Sequence, residues 1–463
     1  MLYTPASRRV DGDVQEQRPS AQHMKPETKQ NRMNKQQAAV LYLRSRYVEP
    51  GNIRHDTVTN RLQIRKQPPD EHTDLLDNPA RGTEWQDMTT QDINSIVCAC
   101  AAENDIAVSG REMLTALQSD IVPDVHPIRA WLDGCPRYNP VVMPDFIGML
   151  SGQVHIADPT PERQRLWDIC FKKWFVAMVA SWLDDAVVNH QVLVLIGKQG
   201  IYKTTWLEHL LPPALRVYCS KLANTRDLNR DERLRIAESA LVNLDEIDSM
   251  NPRELNQLKS LITASDVNER AAYAYTKERR VRLASFCASG NRSEFLSDTT
   301  GNRRWLPFEI ESIDSPFSTS IPYDLVYAQA VYTIRSTSFP YWFDLDEIDL
   351  LEQHNDRFRA KAGEEELLPL LFGMPAEGLG EFLTTAQISE RLTTYGNIKQ
   401  PMPLNRLGML LGKMGYYAAR KRTESTVLRG WLVAPRSADE LKILRKNDVE
   451  PVETMYTSPL PET

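Results

Sequence analysis

Gln191-Val-Leu-Val-Leu-Ile-Gly-Lys-Gln-Gly-Ile-Tyr-Lys-Thr-Thr205 is the stretch on which the fold turns. Its first six residues are a short apolar run ending at a glycine, and their length and branching predict a buried parallel strand. Helical patterning follows at Trp206-Leu-Glu-His-Leu-Leu211. Strand, glycine-containing loop and helix, in that order, let backbone N–H groups and a helix N-terminus surround phosphate groups.

The loop nearly fits GxxxxGK[ST]. Gly197, Gln199, Gly200, Ile201, Tyr202, Lys203, Thr204 and Thr205 are therefore the candidate residues for cradling ATP. Lys203 would reach the β and γ phosphates, and Thr204 would hold Mg²⁺. One position departs from the pattern. Tyr202 stands where glycine, which lets the backbone approach the phosphate closely, normally precedes the lysine. The same residues also suit a plain strand–helix turn with a surface lysine.

Two further apolar runs, Ser239-Ala-Leu-Val-Asn-Leu244 and Arg282-Leu-Ala-Ser-Phe-Cys287, predict parallel strands separated by helices, hence a doubly wound α/β core. The first of these leads into Asp245 and Glu246. There Asp245 can hold Mg²⁺ through water and Glu246 can deprotonate an attacking water, although acidic pairs also cap helices. The second leads into Ala288-Ser-Gly-Asn291, where Asn291 either positions water against a γ-phosphate or serves the turn. Arg303 and Arg304 suit an arginine finger acting in a neighbouring subunit's site, or a surface ion pair. Between the two runs, Tyr273 and Tyr275 precede Lys277, Arg279, Arg280 and Arg282. Basic residues interleaved with aromatics suit single-stranded DNA, and equally a solvated basic hairpin.

Taken together and in this order, the elements resemble superfamily 3 helicases, a branch of the AAA+ ATPases. The closer resemblance is to the virulence-associated protein E family of phage and bacterial mobile elements. It is carried by Gln199-Gly-Ile-Tyr-Lys-Thr-Thr-Trp206, Asn268-Glu-Arg-Ala-Ala-Tyr273 and Phe295-Leu-Ser-Asp-Thr-Thr-Gly-Asn-Arg-Arg-Trp-Leu-Pro-Phe308, and it covers about residues 120–345. Tyr202 looks like a variant found in a branch of that family. The resemblance implies a P-loop ATPase of AAA+ type that forms a ring hexamer with ATP sites between subunits. Such a protein is a DNA motor in replication or maintenance of a mobile element. Two alternatives stay open: a nucleotide-gated DNA-binding switch or assembly protein, regulatory or defensive, and a winged-helix binder on an inactive ATPase fold.

The C-terminal part reads as its own unit. Thr384 caps a helix over 384–392, Pro403–Met414 gives a second helix, and 416–422 with 428–433 give a hairpin. Helix, turn, helix and basic hairpin predict a winged-helix-like domain that binds duplex DNA through Arg406, Arg420 and Arg422; a helical cap on the ATPase is the alternative.

In the 463 residues, 41% are apolar and 25% charged, enough to bury real cores in two to four domains. The net charge of -7 restricts nucleic-acid contact to local basic patches. The six cysteines form no CxxC pair and the eight histidines show no metal-ligand spacing, so neither a disulfide framework nor a zinc site is expected. No signal peptide or membrane span is expected, and the chain reads as cytoplasmic. The expected organisation is a disordered lead-in (1–36), an N-terminal α+β module with connector (37–150), the ATPase (151–345), a helical linker (346–379), the winged-helix-like domain (380–436) and a loose tail (437–463). Within the module, 40–46 and 57–64 read as strands, Thr90 and Ser109 as helix caps, and 123–149 as a connector.

Overall fold

A computed structural model describes residues 34–65, 85–103, 106–222, 230–269, 278–296, 302–359, 363–375, 380–422 and 427–436. The chain divides into two compact units, Met1–Val125 and His126–Thr463.

The first unit opens with α1 (Lys35–Leu43), started by a capping box between Asn34 and Gln37. The hairpin strands β1 (Ile53–Asp56) and β2 (Arg61–Arg65) follow, then β3 (Trp85–Asp87), α2 (Thr90–Glu103), α3 (Gly110–Leu117) and β4 (Asp124–Val125). The strands form one sheet in the order β3-β2-β1-β4. Three expectations are corrected here. Residues 40–46 are helical because the Asn34 cap sets the phase and Ala38, Ala39, Tyr42 and Leu43 are buried at helical spacing. Residues 57–60 are a turn, because the buried Asp56 carboxylate accepts from Val58 N at 2.8 Å and Thr59 Oγ1 at 2.9 Å. The cap before α2 is Thr89, which exchanges hydrogen bonds with Asp92, whereas Ser109 caps α3 as expected.

In the second unit, the expected connector contains α4 (Pro127–Asp133) and α5 (Phe146–Ser151). Proline at the first position and the Asp145 cap make these short helices possible in a proline-rich stretch. The unit continues with β5 (Val154–Ile156), α6 (Pro161–Leu183), β6 (Val192–Ile196), α7 (Lys203–Glu208), β7 (Cys219–Leu222), α8 (Arg230–Ala237), β8 (Leu241–Leu244) and α9 (Pro252–Thr263). Then come β9 (Asp266–Glu269), β10 (Glu278–Val281), β11 (Ser285–Gly290), β12 (Trp305–Ile313), α10 (Tyr323–Ser336) and α11 (Leu345–Asn355).

Six strands make the central sheet in the order β5-β12-β6-β11-β8-β7, parallel except for β5. All five residues of β6 are buried, as a central strand covered on both faces requires. The long helix α6 buries Trp167, Trp174 and Trp182 completely. Two of their indoles donate to sheet carbonyls, Trp174 to Phe286 O at 3.1 Å and Trp182 to Ala240 O at 3.3 Å. Strands β7 and β12 are not evident from the sequence. In β12 the obstacle is Pro307, a residue that argues against a central strand. Strand β5 pairs with β12 only from Ile310 onward, so Pro307 faces no strand on that side. Helix α11 covers this stretch instead: His354 Nε2 donates to Pro307 O at 2.7 Å, and Asn355 Nδ2 to Trp305 O at 3.0 Å.

The last segment holds α12 (Gly363–Leu371), β13 (Phe372–Gly373), β14 (Glu381–Leu383), α13 (Thr385–Gly396), α14 (Leu404–Lys413), β15 (Tyr417–Arg422) and β16 (Val427–Pro435). Thr384 caps α13 as expected, in a capping box with Gln387, and β16 pairs with β13, β14 and β15. Leu368, Leu371 and Phe372 join the same core as Leu392, Leu407 and Leu411, so α12 packs with this unit. The chain is thus mixed α/β with several sheets.

Candidate functional site

In the central sheet, β6 is flanked by β11 on one side and β12 on the other, although the chain visits β7 and β8 before β11. Such a reversal of strand order leaves a crevice at the carboxyl ends of the strands, where ligands of α/β sheets bind. The carboxyl ends of β6, β11 and β8 are adjacent, and each carries a predicted residue set. A cleft of about 330 Å³ opens there.

Lys203 opens α7 and is largely buried. Its Nζ donates to Gly197 O at 2.7 Å, Lys198 O at 2.6 Å and Asn291 Oδ1 at 3.3 Å. Burial holds its ammonium below the usual lysine range, and the carboxylates of Asp248 and Asp245 oppose that shift. Beside it, Thr204 Oγ1 donates to Asp245 Oδ1 at 3.2 Å and lies 3.0 Å from Ser289 Oγ, which donates to the same carboxylate oxygen at 2.7 Å. Asp245 is two strands away from β6, on the order of 10 Å at the usual strand spacing. Helix α7 and Ser289 on the intervening β11 close that gap.

Gln199, Gly200, Tyr202 and Thr205 complete the loop side of the cleft, with Glu246 and Asn291 facing them. Gly197 lies beneath the loop, where a Cβ would meet Ile310 O at 2.5 Å, so only glycine fits. Ile201 packs against this point and does not line the cleft. Gly200 has φ +83° and Tyr202 φ 67°. Tyr202 therefore adopts the left-handed conformation that glycine at this position would, at a cost of about 1–2 kcal/mol for a residue with a Cβ. Glu246 is also left-handed, at φ 53°, and is exposed.

Sequence reasoning missed two members of the site. Ser289 interrupts an apolar strand two residues before Asn291, on the same face, and that was its signal. Asp248 closes the Asp245-Glu-Ile-Asp248 run, and its Oδ1 accepts from Asn291 N at 3.2 Å. Gly290 permits this approach, since a Cβ there would lie 2.9 Å from Asp248 Oδ1.

Arg303 and Arg304 are not in the cleft. They precede β12, whose Trp305 is in register with Val192, the first residue of β6. The glycine loop after β6 starts five residues further along, about 17 Å away at 3.3 Å per residue. Both arginines line a separate cavity of about 380 Å³ together with His190 and Trp342. Among the described residues neither guanidinium is in a hydrogen bond or ion pair.

Tyr275 and Lys277 lie outside the described residues. Arg279 stands on β10 opposite Asn268 of β9. Arg280 pairs with Glu238 at 2.5 Å, with both side chains largely covered. Arg282, expected with the basic group of the hairpin, is buried and donates to the carbonyls of Ala264, Ile262 and Ala284, tying the hairpin root to the C-terminal end of α9. Arg406 is exposed on α14, and Arg420 and Arg422 are exposed on β15. Arg420 stands directly opposite Arg429 of β16.

Among the described residues no helix is long and apolar enough to cross a membrane. Nor does any group of three or more His, Cys, Asp or Glu side chains among them form a metal cage. The hydroxyls of Thr204 and Ser289 around the Asp245 carboxylate are oxygen donors that suit Mg²⁺ arriving with phosphate groups, an ion held by few protein ligands.

No curated protein matches the chain. Among solved structures it is similar to the A form apo structure of NrS-1 C terminal region-CTR(305-718), at 12% identity and TM-score 0.44, covering 85% of this chain and 99% of that one. It is also similar to the apo structure of NrS-1 C terminal region (305-718), at 11% identity and TM-score 0.45, covering 86% and 99%. Residues 157–360, from the end of β5 to just beyond α11, match the model of the Virulence-associated protein E-like domain. The segment that carries the cleft is therefore the part of the chain that is similar to the virulence-associated protein E-like domain.

Proposed function

We propose that this chain is an ATPase of the P-loop, AAA+ type that acts on DNA in the replication or maintenance of a phage or other mobile element. The observation that carries the reading is the convergence of Lys203, Thr204, Ser289, Asp245 and Asn291 on one cleft at a helix N-terminus. Carbonyl groups of the loop hold the Lys203 ammonium where the β and γ phosphates of ATP would draw it. The amides of α7 add positive potential to the same point. Thr204 and Asp245 would hold Mg²⁺, which neutralises charge on the phosphates. Glu246 accepts a proton from the attacking water, and Asn291 orients that water while keeping Lys203 in line.

Arg303 and Arg304 sit too far from their own cleft to act in it, which supports an assembly in which each subunit completes its neighbour's site. The virulence-associated protein E-like domain supports the link to mobile-element replication. Two DNA surfaces fit this reading. The β9–β10 hairpin, with Tyr275, Lys277 and Arg279, would track a single strand. The C-terminal unit has the strand, helix, helix and hairpin order of a winged helix, with Arg406, Arg420 and Arg422 exposed for duplex phosphates. Calorimetric titration with Mg²⁺-ATP tests the reading: the wild type should bind, and Lys203→Ala should not. Equal binding by Lys203→Ala would move the nucleotide out of this cleft.

A further inference from the structure

Beside the cleft lies an aromatic group that neither the phosphate chemistry nor the arginines explain. Tyr202 is 42% exposed and Phe317, on the loop between β12 and α10, is 75% exposed. The Phe317 ring stands roughly perpendicular to Tyr202, with centroids 6.2 Å apart at 78°, and to His209, at 5.8 Å and 79°. The loop that carries Phe317 is anchored at both ends. Asp314 N donates to Gln153 O at 2.9 Å, and Tyr323 OH donates to His209 O at 2.7 Å. His209 is fixed in turn, its Nδ1 donating to Thr205 O at 2.8 Å.

Tyr202 and Thr205 line the cleft, so this aromatic group begins where the phosphate cradle ends. Phe317 is perpendicular to both neighbours and three-quarters exposed, which leaves apolar ring surface open to solvent at the mouth of a polar site. A flat π-surface of this kind stacks nucleobases, whichever base is offered. Tyr202 also holds a left-handed conformation that a side chain rarely adopts, and strain of that kind collects at ligand sites.

We propose that Phe317, held upright by Tyr202 and His209, is the shelf on which the base of the bound nucleoside triphosphate stacks. The proposal rests on the nucleotide reading of the cleft and adds the residues that grip the base. Tyr202 then serves two ends, shaping the loop through its backbone and steadying the shelf through its ring.

The test compares Mg²⁺-ATP with Mg²⁺-tripolyphosphate, which has the phosphates and no base, by calorimetry on the full chain and its Phe317→Ala and Phe317→Trp variants. Phe317→Ala should weaken ATP binding by about 5- to 150-fold, the span of one lost base stack. Tripolyphosphate affinity should not change, and Phe317→Trp should restore ATP affinity. Unchanged ATP affinity in Phe317→Ala would overturn the shelf, as would a parallel loss of tripolyphosphate binding, which would make Phe317 a support of the loop. A wild type that binds tripolyphosphate as tightly as ATP removes the shelf and leaves the phosphate site standing. A wild type that binds neither removes the nucleotide reading and the shelf with it.

Discussion

Replacing Arg303 and Arg304 together by alanine should leave each cleft able to bind ATP and yet stop turnover. The reason is distance. Trp305 is in register with Val192, while the loop begins at Gly197, so the arginines and their own cleft lie at opposite ends of β6. A separation of about 17 Å exceeds the reach of an arginine side chain. The two guanidinium groups have no hydrogen-bond or ion-pair partner among the described residues, and on the proposed reading they would serve the cleft of an adjacent copy. An arginine supplied in this way contributes about 10³–10⁵ in turnover. Head-to-tail contacts of this kind close into rings, and in a random equal mixture of the arginine variant with Lys203→Ala about one site in four would combine an intact lysine with an intact arginine. Steady-state ATP hydrolysis should then be near zero for either variant alone and recover to about a quarter of the wild-type rate on mixing. Full turnover by the arginine variant, or a monomer that hydrolyses ATP at the wild-type rate, would refute the argument.

Other consequences are equally open to measurement. Glu246→Gln should retain ATP and lose about 10²–10⁴-fold in turnover, and an unchanged rate would remove Glu246 from the chemistry. Burial pulls His354 down from 6.5 to about 4, against the hydrogen bond to Pro307. Between those values the unfolded chain takes up a proton that the folded chain refuses. Stability is therefore complete above pH 6.5 and falls as the pH drops towards 4, by about 3 kcal/mol at most. Denaturant unfolding should show that loss, and His354→Gln, which keeps a donor for Pro307, should flatten it. The facing pair Arg420 and Arg429 repel each other in the free protein. Their double replacement by alanine should stabilise the hairpin by about 0.2–1 kcal/mol while reducing the salt slope of duplex binding by about 2. A destabilised hairpin with unchanged duplex affinity would show that this face does not meet DNA.

The sequence carried the candidate site further than it carried the fold around it. Strand, loop and helix from Gln191 to Leu211 follow from local pattern, because a fully buried strand, a glycine loop and an apolar helical run leave strong marks. Asp245 and Asn291 could be placed at strand ends for the same reason. Ser289 and Asp248 could not be assigned, because their role depends on β11 lying between β6 and β8, and strand order is set by long-range packing. Pro307 hid β12, since its tolerance depends on α11 supplying His354 and Asn355 to the strand edge. In the first unit, residues 40–46 carry the aromatic and branched side chains of a strand, yet the cap at Asn34 and the burial of Ala38, Ala39, Tyr42 and Leu43 make them helical. Arg282 shows the limit of reading charge from composition. It looks like part of a DNA-binding run, but its guanidinium is spent on carbonyls at the end of α9.

The central claim is that the cleft between Lys203 and Asp245 hydrolyses ATP in the service of DNA. Steady-state hydrolysis of Mg²⁺-ATP by the full chain, with and without single-stranded DNA, tests it most directly. The account predicts Mg²⁺-dependent turnover that rises with single-stranded DNA and is abolished in Lys203→Ala. A wild type that shows no turnover with DNA present, or turnover that persists in Lys203→Ala, would contradict it.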